Sequence, residues 1–192
     1  MQHLALKVIL DEHAALDRVL RALRETVANA RGLGAAPDFE RLRTLLFYMD
    51  EMPARLHHSA EEEVLFPRIR ERCPALRPVL DRLESEHERG ETTVRDLEHA
   101  LTAWEVMGDE RREAFELPLR VFVDGYLGHM QVEENYVLSV AQDYLSEADW
   151  LDLHAALTRQ RGAPASQRTT AGHDALLQRI LGSPATVPPE GD

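Results

Sequence analysis

The stretch that decides the fold is His57-His58-Ser59-Ala60-Glu61-Glu62-Glu63-Val64-Leu65-Phe66-Pro67. Its composition predicts a helix, on which His57 and Glu61 share one face and lie about 6 Å apart along the axis. Two side chains placed in this way can reach one metal ion or two adjacent ions. A single His-x-x-x-Glu pair is weak evidence, because charged helices commonly carry such pairs on a solvated face.

The pattern occurs twice. His129-Met130-Gln131-Val132-Glu133-Glu134 repeats the order His-x-x-x-Glu-Glu, and Glu86-His87 repeats Glu12-His13. The chain therefore contains His, His-x-x-x-Glu, His and His-x-x-x-Glu in that order. An internal repeat that carries four histidines and two carboxylates indicates two equivalent halves of one site.

Apolar residues recur with helical spacing along most of the chain, and no stretch alternates as a strand would. Long helices are predicted over residues 3–30, 39–72, 74–106 and 110–145, and Ser146 to Asp149 is predicted to begin a short fifth helix through 157. Kinks or local distortions are expected at Pro53, Pro67 and Pro118.

Four long helices with short connections predict an all-α fold, an antiparallel up-down-up-down four-helix bundle with a short fifth helix. Counted from the turns, all four histidines and both glutamates of the repeated motif fall at one height along the bundle. Residues 1–160 are predicted to form this domain. Residues 161–192 are predicted to be a linker and a mobile C-terminal tail, because their composition changes and the last segment is rich in proline.

Composition limits the function. The 192 residues carry a net charge of −12, which argues against nucleic acid or an anionic membrane as a partner. No transmembrane run and no secretory signal is visible, and the one cysteine, Cys73, fits a reducing compartment, so a cytoplasmic location is expected. No nucleophile–base arrangement or phosphate-binding loop is visible, so hydrolase and kinase activities are disfavoured.

The alternative to a metal site is six polar side chains on solvated faces. Each motif histidine, however, lies in or beside an apolar stripe, and a buried polar group without a partner is costly. Four imidazoles and two carboxylates exceed the usual four-ligand set of structural zinc. They suit two adjacent ions bridged by both carboxylates, and nitrogen and oxygen ligands favour iron, with manganese or zinc as weaker alternatives.

The chain resembles the hemerythrin-like proteins of the HHE cation-binding type. The resemblance rests on Asp11-Glu12-His13, on His57 to Pro67, on Glu86-His87 and on His129 to Glu134, and it covers residues 3–157. It implies a four-helix bundle with an oxo- or hydroxo-bridged di-iron centre. The ligands it implies are His13, His57, Glu61, His87, His129 and Glu133.

Several residues near the motif have two interpretations. His58 and Glu62 form a second pair shifted by one residue, but superposing the two Glu-Glu dipeptides selects His57 and Glu61 and predicts His58 at the surface or beside the ligands. Glu91 stands where oxygen-carrying hemerythrins have a fifth histidine, so it is either a further candidate ligand that would disfavour reversible oxygen carriage or a solvated side chain that points away from the metal. Four more glutamates are predicted to be solvated, with hydrogen bonds to the ligands as the alternative: Glu12, Glu62, Glu86 and Glu134.

Three functions follow from the resemblance and the motif. The first is a non-catalytic di-iron protein that binds or senses dioxygen, nitric oxide or a related small oxidant. The second is an enzyme that scavenges peroxide or nitric oxide, or an iron donor in iron–sulfur cluster repair. The third is a scaffold with a structural metal whose fifth helix or tail binds a protein partner.

Overall fold

The computed structural model describes residues 3–52 and 57–162, together with Gln178 and Gly182, and this part of the chain is all-α without a strand. The helices are α1 (Leu4–Leu33), α2 (Phe39–Met52), α3 (Phe66–Arg72), α4 (Arg77–Met107), α5 (Arg112–Val132), α6 (Leu138–Tyr144) and α7 (Glu147–Gly162). The predicted all-α class is confirmed. Among the described helices, none is long and apolar enough to cross a membrane.

The helices form a ring in which α1 and α4 each pack against both α2 and α5. On α1, Arg24 pairs with Asp124 of α5, whereas the earlier His13 contacts the later Glu134 at 2.8 Å. The partner number falls as the α1 number rises, which is the pattern of antiparallel neighbours.

Local signals in the sequence set the helix ends. Gly34 takes the left-handed conformation after α1 (φ 63°), which a residue with a side chain rarely adopts. Ahead of α2, the Asp38 carboxylate accepts the Arg41 backbone N–H at 2.9 Å. At α7, Ser146 and Asp149 exchange hydrogen bonds between side chain and backbone N–H, so the predicted start of this helix is confirmed.

Some predicted boundaries differ from the structure, and two predictions fall outside the described residues. Helix α7 continues to Gly162, past the predicted helix end at 157. Helix α5 runs without interruption through Pro118. The kink predicted at Pro53, and the tail from 163 onward apart from Gln178 and Gly182, lie outside the described residues.

Two π-helical turns, Glu61–Leu65 and Glu133–Val137, widen the backbone at the same point of each half. The first ends two residues before Pro67, which lacks the N–H that an α-helix would require there. The Phe66 N–H donates to the Glu61 carbonyl, and the Leu138 N–H donates to the Glu133 carbonyl, each spanning five residues. Such turns occur frequently at functional sites. The sequence repeat therefore extends to the backbone.

The apolar core consists of two clusters separated by a polar layer. One cluster contains Leu16, Leu46 and Trp104, and the other contains Ile9 and Leu138. Helix α7 packs on α1 and completes the second cluster. The motif side chains lie between the clusters, so apolar packing shields them at both ends of the layer.

Candidate metal centre

The structure brings together all six side chains predicted as ligands. They are His13 on α1, His57 and Glu61 ahead of α3, His87 on α4, His129 on α5, and Glu133 at the start of the second π-helical turn. Each is at most 5% exposed. Six polar residues on solvated faces, the alternative reading of the motif, are therefore excluded.

The histidines form two facing pairs. The Nε2 atoms of His13 and His57 are 2.9 Å apart, and those of His87 and His129 are 3.0 Å apart. Metal–nitrogen bonds of about 2.0–2.1 Å at a right angle place two ligand nitrogens about 2.9 Å apart. Each pair therefore has the separation that two nitrogens bound to one ion require.

The two buried carboxylates connect the pairs. The two oxygens of Glu61 face different pairs: Oε1 lies 3.2 Å from His57 Nε2, and Oε2 lies 3.8 Å from His87 Nε2. Glu133 repeats the arrangement, with Oε2 at 3.3 Å from His13 Nε2 and Oε1 at 3.3 Å from His129 Nε2. Each carboxylate thus presents one oxygen to each half.

Four outer glutamates fix the rings. The Nδ1 atoms of His13 and His87 lie 2.8 Å from carboxylate oxygens of Glu134 and Glu62. The Nδ1 atoms of His57 and His129 lie 3.0 Å from those of Glu12 and Glu86. Because a carboxylate only accepts, each Nδ1–H donates, and each neutral ring directs its Nε2 lone pair into the centre. The prediction that these four glutamates are solvated is wrong for Glu12, which is buried, but Glu62 and Glu134 are 40% exposed and Glu86 is half-buried; the hydrogen-bonding alternative is confirmed for all four.

A comparison with known protein families agrees with this geometry. The family model of the hemerythrin HHE cation binding domain matches residues 4–141. The chain belongs to the hemerythrin HHE cation-binding family. No curated protein and no solved structure gives a significant match.

The chemistry of this HHE centre fits a cation. Within residues 3–52 and 57–162, no group makes a well-directed hydrogen bond to Glu61 Oε2 or to either oxygen of Glu133, although all three atoms are buried. Within each histidine pair, the two Nε2 atoms face each other at hydrogen-bond distance, where two neutral rings would oppose their lone pairs. Unsatisfied buried acceptors are costly, and a metal ion in each half would satisfy the oxygens and the nitrogens together. The donor set is nitrogen and carboxylate oxygen, which suits iron.

The pKa values of the two central carboxylates move in opposite directions. Burial, together with the charge of Glu133, raises the pKa of Glu61 well above its usual value. Burial would also raise the pKa of Glu133, but its contacts with His129, His13 and His87 hold it well below the usual range. The two carboxyl groups therefore differ in their preference for the charged form, although they hold equivalent positions in the repeat.

The histidines respond to the same charges. Burial lowers the pKa of His13 and His129, but Glu133 and the outer glutamates outweigh it, and both pKa values are raised. For His57, burial dominates and lowers the pKa. The metal-free centre therefore holds protons that a bound cation would replace.

His58 is a buried member of this layer that the sequence reasoning placed at the surface or beside the ligands. Its ring stacks on His87 with centroids 3.6 Å apart, and its Nε2 lies 3.0 Å from the Tyr126 hydroxyl. The surface interpretation is wrong, because it assumed that an α-helical rotation turns residue 58 away from the core. Residues 57 and 58 have π-helical backbone instead. The doubled His57-His58 and Glu61-Glu62 pairs were the only signal for it in the sequence.

Glu91, the further candidate ligand, is not brought to the centre. Its side chain is exposed. The buried positions of α4 are spaced alternately by three and four residues, as in Leu83, His87, Val94 and Leu97. This seven-residue repeat passes from His87 through position 90, which is glycine, and leaves residue 91 off the core-facing stripe.

A cavity of about 530 Å³ between α4 and α5 reaches one half of the centre. His87, His129 and Tyr126 form its inner end, and Leu117 and Val121 are part of its apolar wall. Gly90 and Gly125 also line it, and a Cβ added to either glycine would meet no atom within 4 Å. The His87–His129 half therefore has a route to the surface.

Proposed function

We propose that this HHE domain is a non-haem di-iron protein that binds or senses dioxygen, nitric oxide or a related small oxidant. The observation that carries the proposal is the placement of Glu61 and Glu133, each of which presents one oxygen to each pair of histidines. A single-ion site would require only one histidine pair, and it would leave the other carboxylate oxygens buried without a partner.

In this proposal, His13 and His57 hold one iron, His87 and His129 hold the other, and Glu61 and Glu133 are shared. The iron pair would supply the change in oxidation state and the coordination positions for a small ligand. The chain contributes the fixed tautomers, since Glu12, Glu62, Glu86 and Glu134 each hold an Nδ1–H. Manganese or zinc would bind the same donors but fit the redox function less well.

The cavity supports a small, uncharged ligand. Its wall is mainly apolar, with Phe122, Val121 and Leu117, and water is poorly stabilised against such a surface. At its inner end lies the Tyr126 hydroxyl, whose pKa burial raises well above its usual value, so the group stays protonated. A diatomic molecule can pass along this route without exposing the two buried carboxylates to bulk solvent.

The test is to load the protein with iron(II) under anaerobic conditions and mix it with dioxygen or nitric oxide in a stopped-flow spectrometer. Zinc-loaded protein is the matched control, because it keeps the donors occupied but has no accessible redox change. We expect a new absorption band with the iron form and no change with the zinc form. No spectral response of the iron form to either gas would refute the proposal.

The same traces separate binding from turnover. A band that disappears when the gas is removed indicates a carrier or sensor. Repeated consumption of nitric oxide or peroxide would indicate a scavenging enzyme instead of a carrier or sensor.

A further inference from the structure

The cavity between α4 and α5 is larger than the passage of a diatomic gas requires. Its volume of about 530 Å³ lies within the range of about 300–1,000 Å³ that is typical of sites for small organic molecules. A water molecule, by comparison, occupies about 30 Å³ in the liquid. Gly90 and Gly125 leave this space open, because a Cβ at either position would meet no atom within 4 Å. The cavity therefore has the size of a binding site for an organic molecule.

One end of the cavity is apolar and open to solvent. Leu117, Val121 and Phe122 of α5 line it. Leu117 is 53% exposed and Val121 is 66% exposed, and the two lie one helical turn apart, so their side chains form one apolar surface. Removing such surface from water is favourable. An apolar molecule that lies along α5 would therefore be stabilised by covering these two side chains.

The other end of the cavity is polar and has a positive charge. It is lined by Arg82, Glu86 and Arg89 of α4, which carry two positive charges and one negative, a local net charge of +1 in a chain of −12. Arg82 donates to Glu86 at 2.7 Å, and Glu86 also accepts from His129 Nδ1. Within residues 3–52 and 57–162, Arg89 donates only to the Ser85 carbonyl, at 3.0 Å, and pairs with no carboxylate. Arg89 is thus the cation of this end that is free to bind an anion.

The two ends lie apart along the cavity. His129, which contacts Glu86, follows Leu117 by twelve residues, or about 18 Å along α5. The hydrogen bond to the Ser85 carbonyl directs the Arg89 side chain back along α4 by one turn, toward the level of Glu86. A ligand that matches both ends has an anionic group at one end and an apolar body at the other.

We propose that this cavity binds a medium-sized organic monocarboxylate, with its carboxylate at Arg89 and its apolar body against Leu117 and Val121. A guanidinium group donates paired hydrogen bonds that match the two oxygens of a carboxylate. The site is built from side chains of α4 and α5, so it does not require an ion at the centre.

The bound carboxylate also controls the access of gas to the centre. The cavity leads to His87 and His129, so a molecule that fills it lies across the route to this half. This part of the inference rests on the proposed function, whereas the binding of the carboxylate does not.

The test is a calorimetric titration of zinc-loaded protein with octanoate. Octylamine and octanol have the same chain but a positive or an uncharged head, and butyrate has the same head but a shorter chain. We expect one octanoate per chain and weaker binding of the three other probes. Binding of octanol or octylamine as tight as that of octanoate would overturn the assignment of a carboxylate.

Two variants at exposed positions locate the site. Arg89→Glu should lower the affinity for octanoate by about fivefold or more and raise that for octylamine, because it inverts the charge at the polar end. Val121→Asp should lower the affinity for octanoate and for octanol, because it removes apolar contact from the other end. The matched controls are Arg95→Glu and Val106→Asp, at exposed positions of α4 outside the cavity lining, and they should bind octanoate as the wild type does.

The outcomes separate this inference from the proposed function. Absence of octanoate binding, or equal affinities in the wild type, Arg89→Glu and Val121→Asp, would overturn the inference even if the protein retains two irons. Octanoate binding by a protein that retains no iron would refute the proposed function and support the carboxylate site. In iron-loaded protein, saturating octanoate should slow nitric oxide binding in stopped-flow traces, and an unchanged rate would overturn the control of gas access.

Discussion

Glu12→Gln tests whether the outer glutamates tune the centre. Glu12 is 6% exposed and accepts the Nδ1–H of His57 at 3.0 Å. Glutamine can still accept this hydrogen bond through its amide oxygen, so the ring tautomer can persist. The substitution removes one negative charge close to His57, and His57 becomes a weaker donor to a cation.

The expected loss follows from the kind of hydrogen bond. Hydrogen bonds to charged groups contribute about 1.5–3 kcal/mol, and those between neutral groups contribute about 0.5–1.5 kcal/mol. The difference between the two classes is roughly 1–1.5 kcal/mol, which corresponds to about 5–13-fold in affinity. Burial keeps solvent from screening the lost charge, so we expect this range for Glu12→Gln at the ion nearest His57.

Glu62 provides an internal comparison. It makes the equivalent contact to His87 Nδ1 at 2.8 Å, but its side chain is 40% exposed. Solvent screens the charge of Glu62 more strongly, so Glu62→Gln should weaken binding less than Glu12→Gln.

The assay is anaerobic competition for iron(II) between the protein and a coloured chelator. Asp11→Asn is the matched control, because Asp11 precedes Glu12 but is 63% exposed and pairs with Lys7. Asp11→Asn should bind as the wild type does. If Glu12→Gln also binds both ions with wild-type affinity, the outer carboxylates do not tune the centre and the reasoning is refuted.

Three further predictions use other features of the centre. The pKa values of His13 and His129 are raised in the folded state, so protonation of these two histidines stabilises the metal-free fold. This stabilisation is complete below the unfolded-state pKa of about 6.5 and is lost as the pH rises through the folded-state pKa values. A metal ion must displace those protons, so the apparent affinity for metal should fall by up to tenfold per pH unit per proton as the pH decreases below the raised pKa values. Calorimetry in buffers of different ionisation enthalpy measures the number of protons released on binding. Zero release would contradict the assignment of these histidines as ligands. A metal ion at a free concentration 100 times its dissociation constant adds about 2.7 kcal/mol to the free energy of unfolding. One bound ion should therefore raise the melting temperature in calorimetric scans by roughly 5–10 °C. Equal melting temperatures with and without metal would count against a metal site. Gly125→Leu should fill part of the cavity and slow nitric oxide binding in stopped-flow traces, at unchanged iron content. Gly128 does not line the cavity, so Gly128→Leu should not slow binding. Equal binding rates in the two variants would exclude the cavity as the route.

The sequence predicted the six central residues because their signal was doubled. His57 with Glu61 and His129 with Glu133 repeat at equal spacing, and a helix turns that spacing into a shared face. The outer glutamates carried the same doubled signal, since Glu12 precedes His13 as Glu86 precedes His87. Charged residues next to a motif are usually solvated, so the repeat alone did not show which hydrogen bonds they make.

His58 and Glu91 show where the sequence left two interpretations open. Both predictions assumed ideal α-helical rotation from a known ligand. At His58 the backbone takes a π-helical form, which changes the direction of the side chain. On α4 the core follows a seven-residue repeat, so Gly90 takes the core-facing position and Glu91 remains exposed. Both departures depend on packing between helices, which periodicity within one helix does not specify.

The iron content of the loaded protein tests the di-iron account most directly. Protein loaded with iron(II) under anaerobic conditions and desalted should retain two irons per chain. His57→Ala and His129→Ala, one from each half of the centre, should each retain at most one, and His99→Ala, at an exposed position, should retain both. Wild-type protein that retains no iron, or full occupancy in both His57→Ala and His129→Ala, would contradict the account.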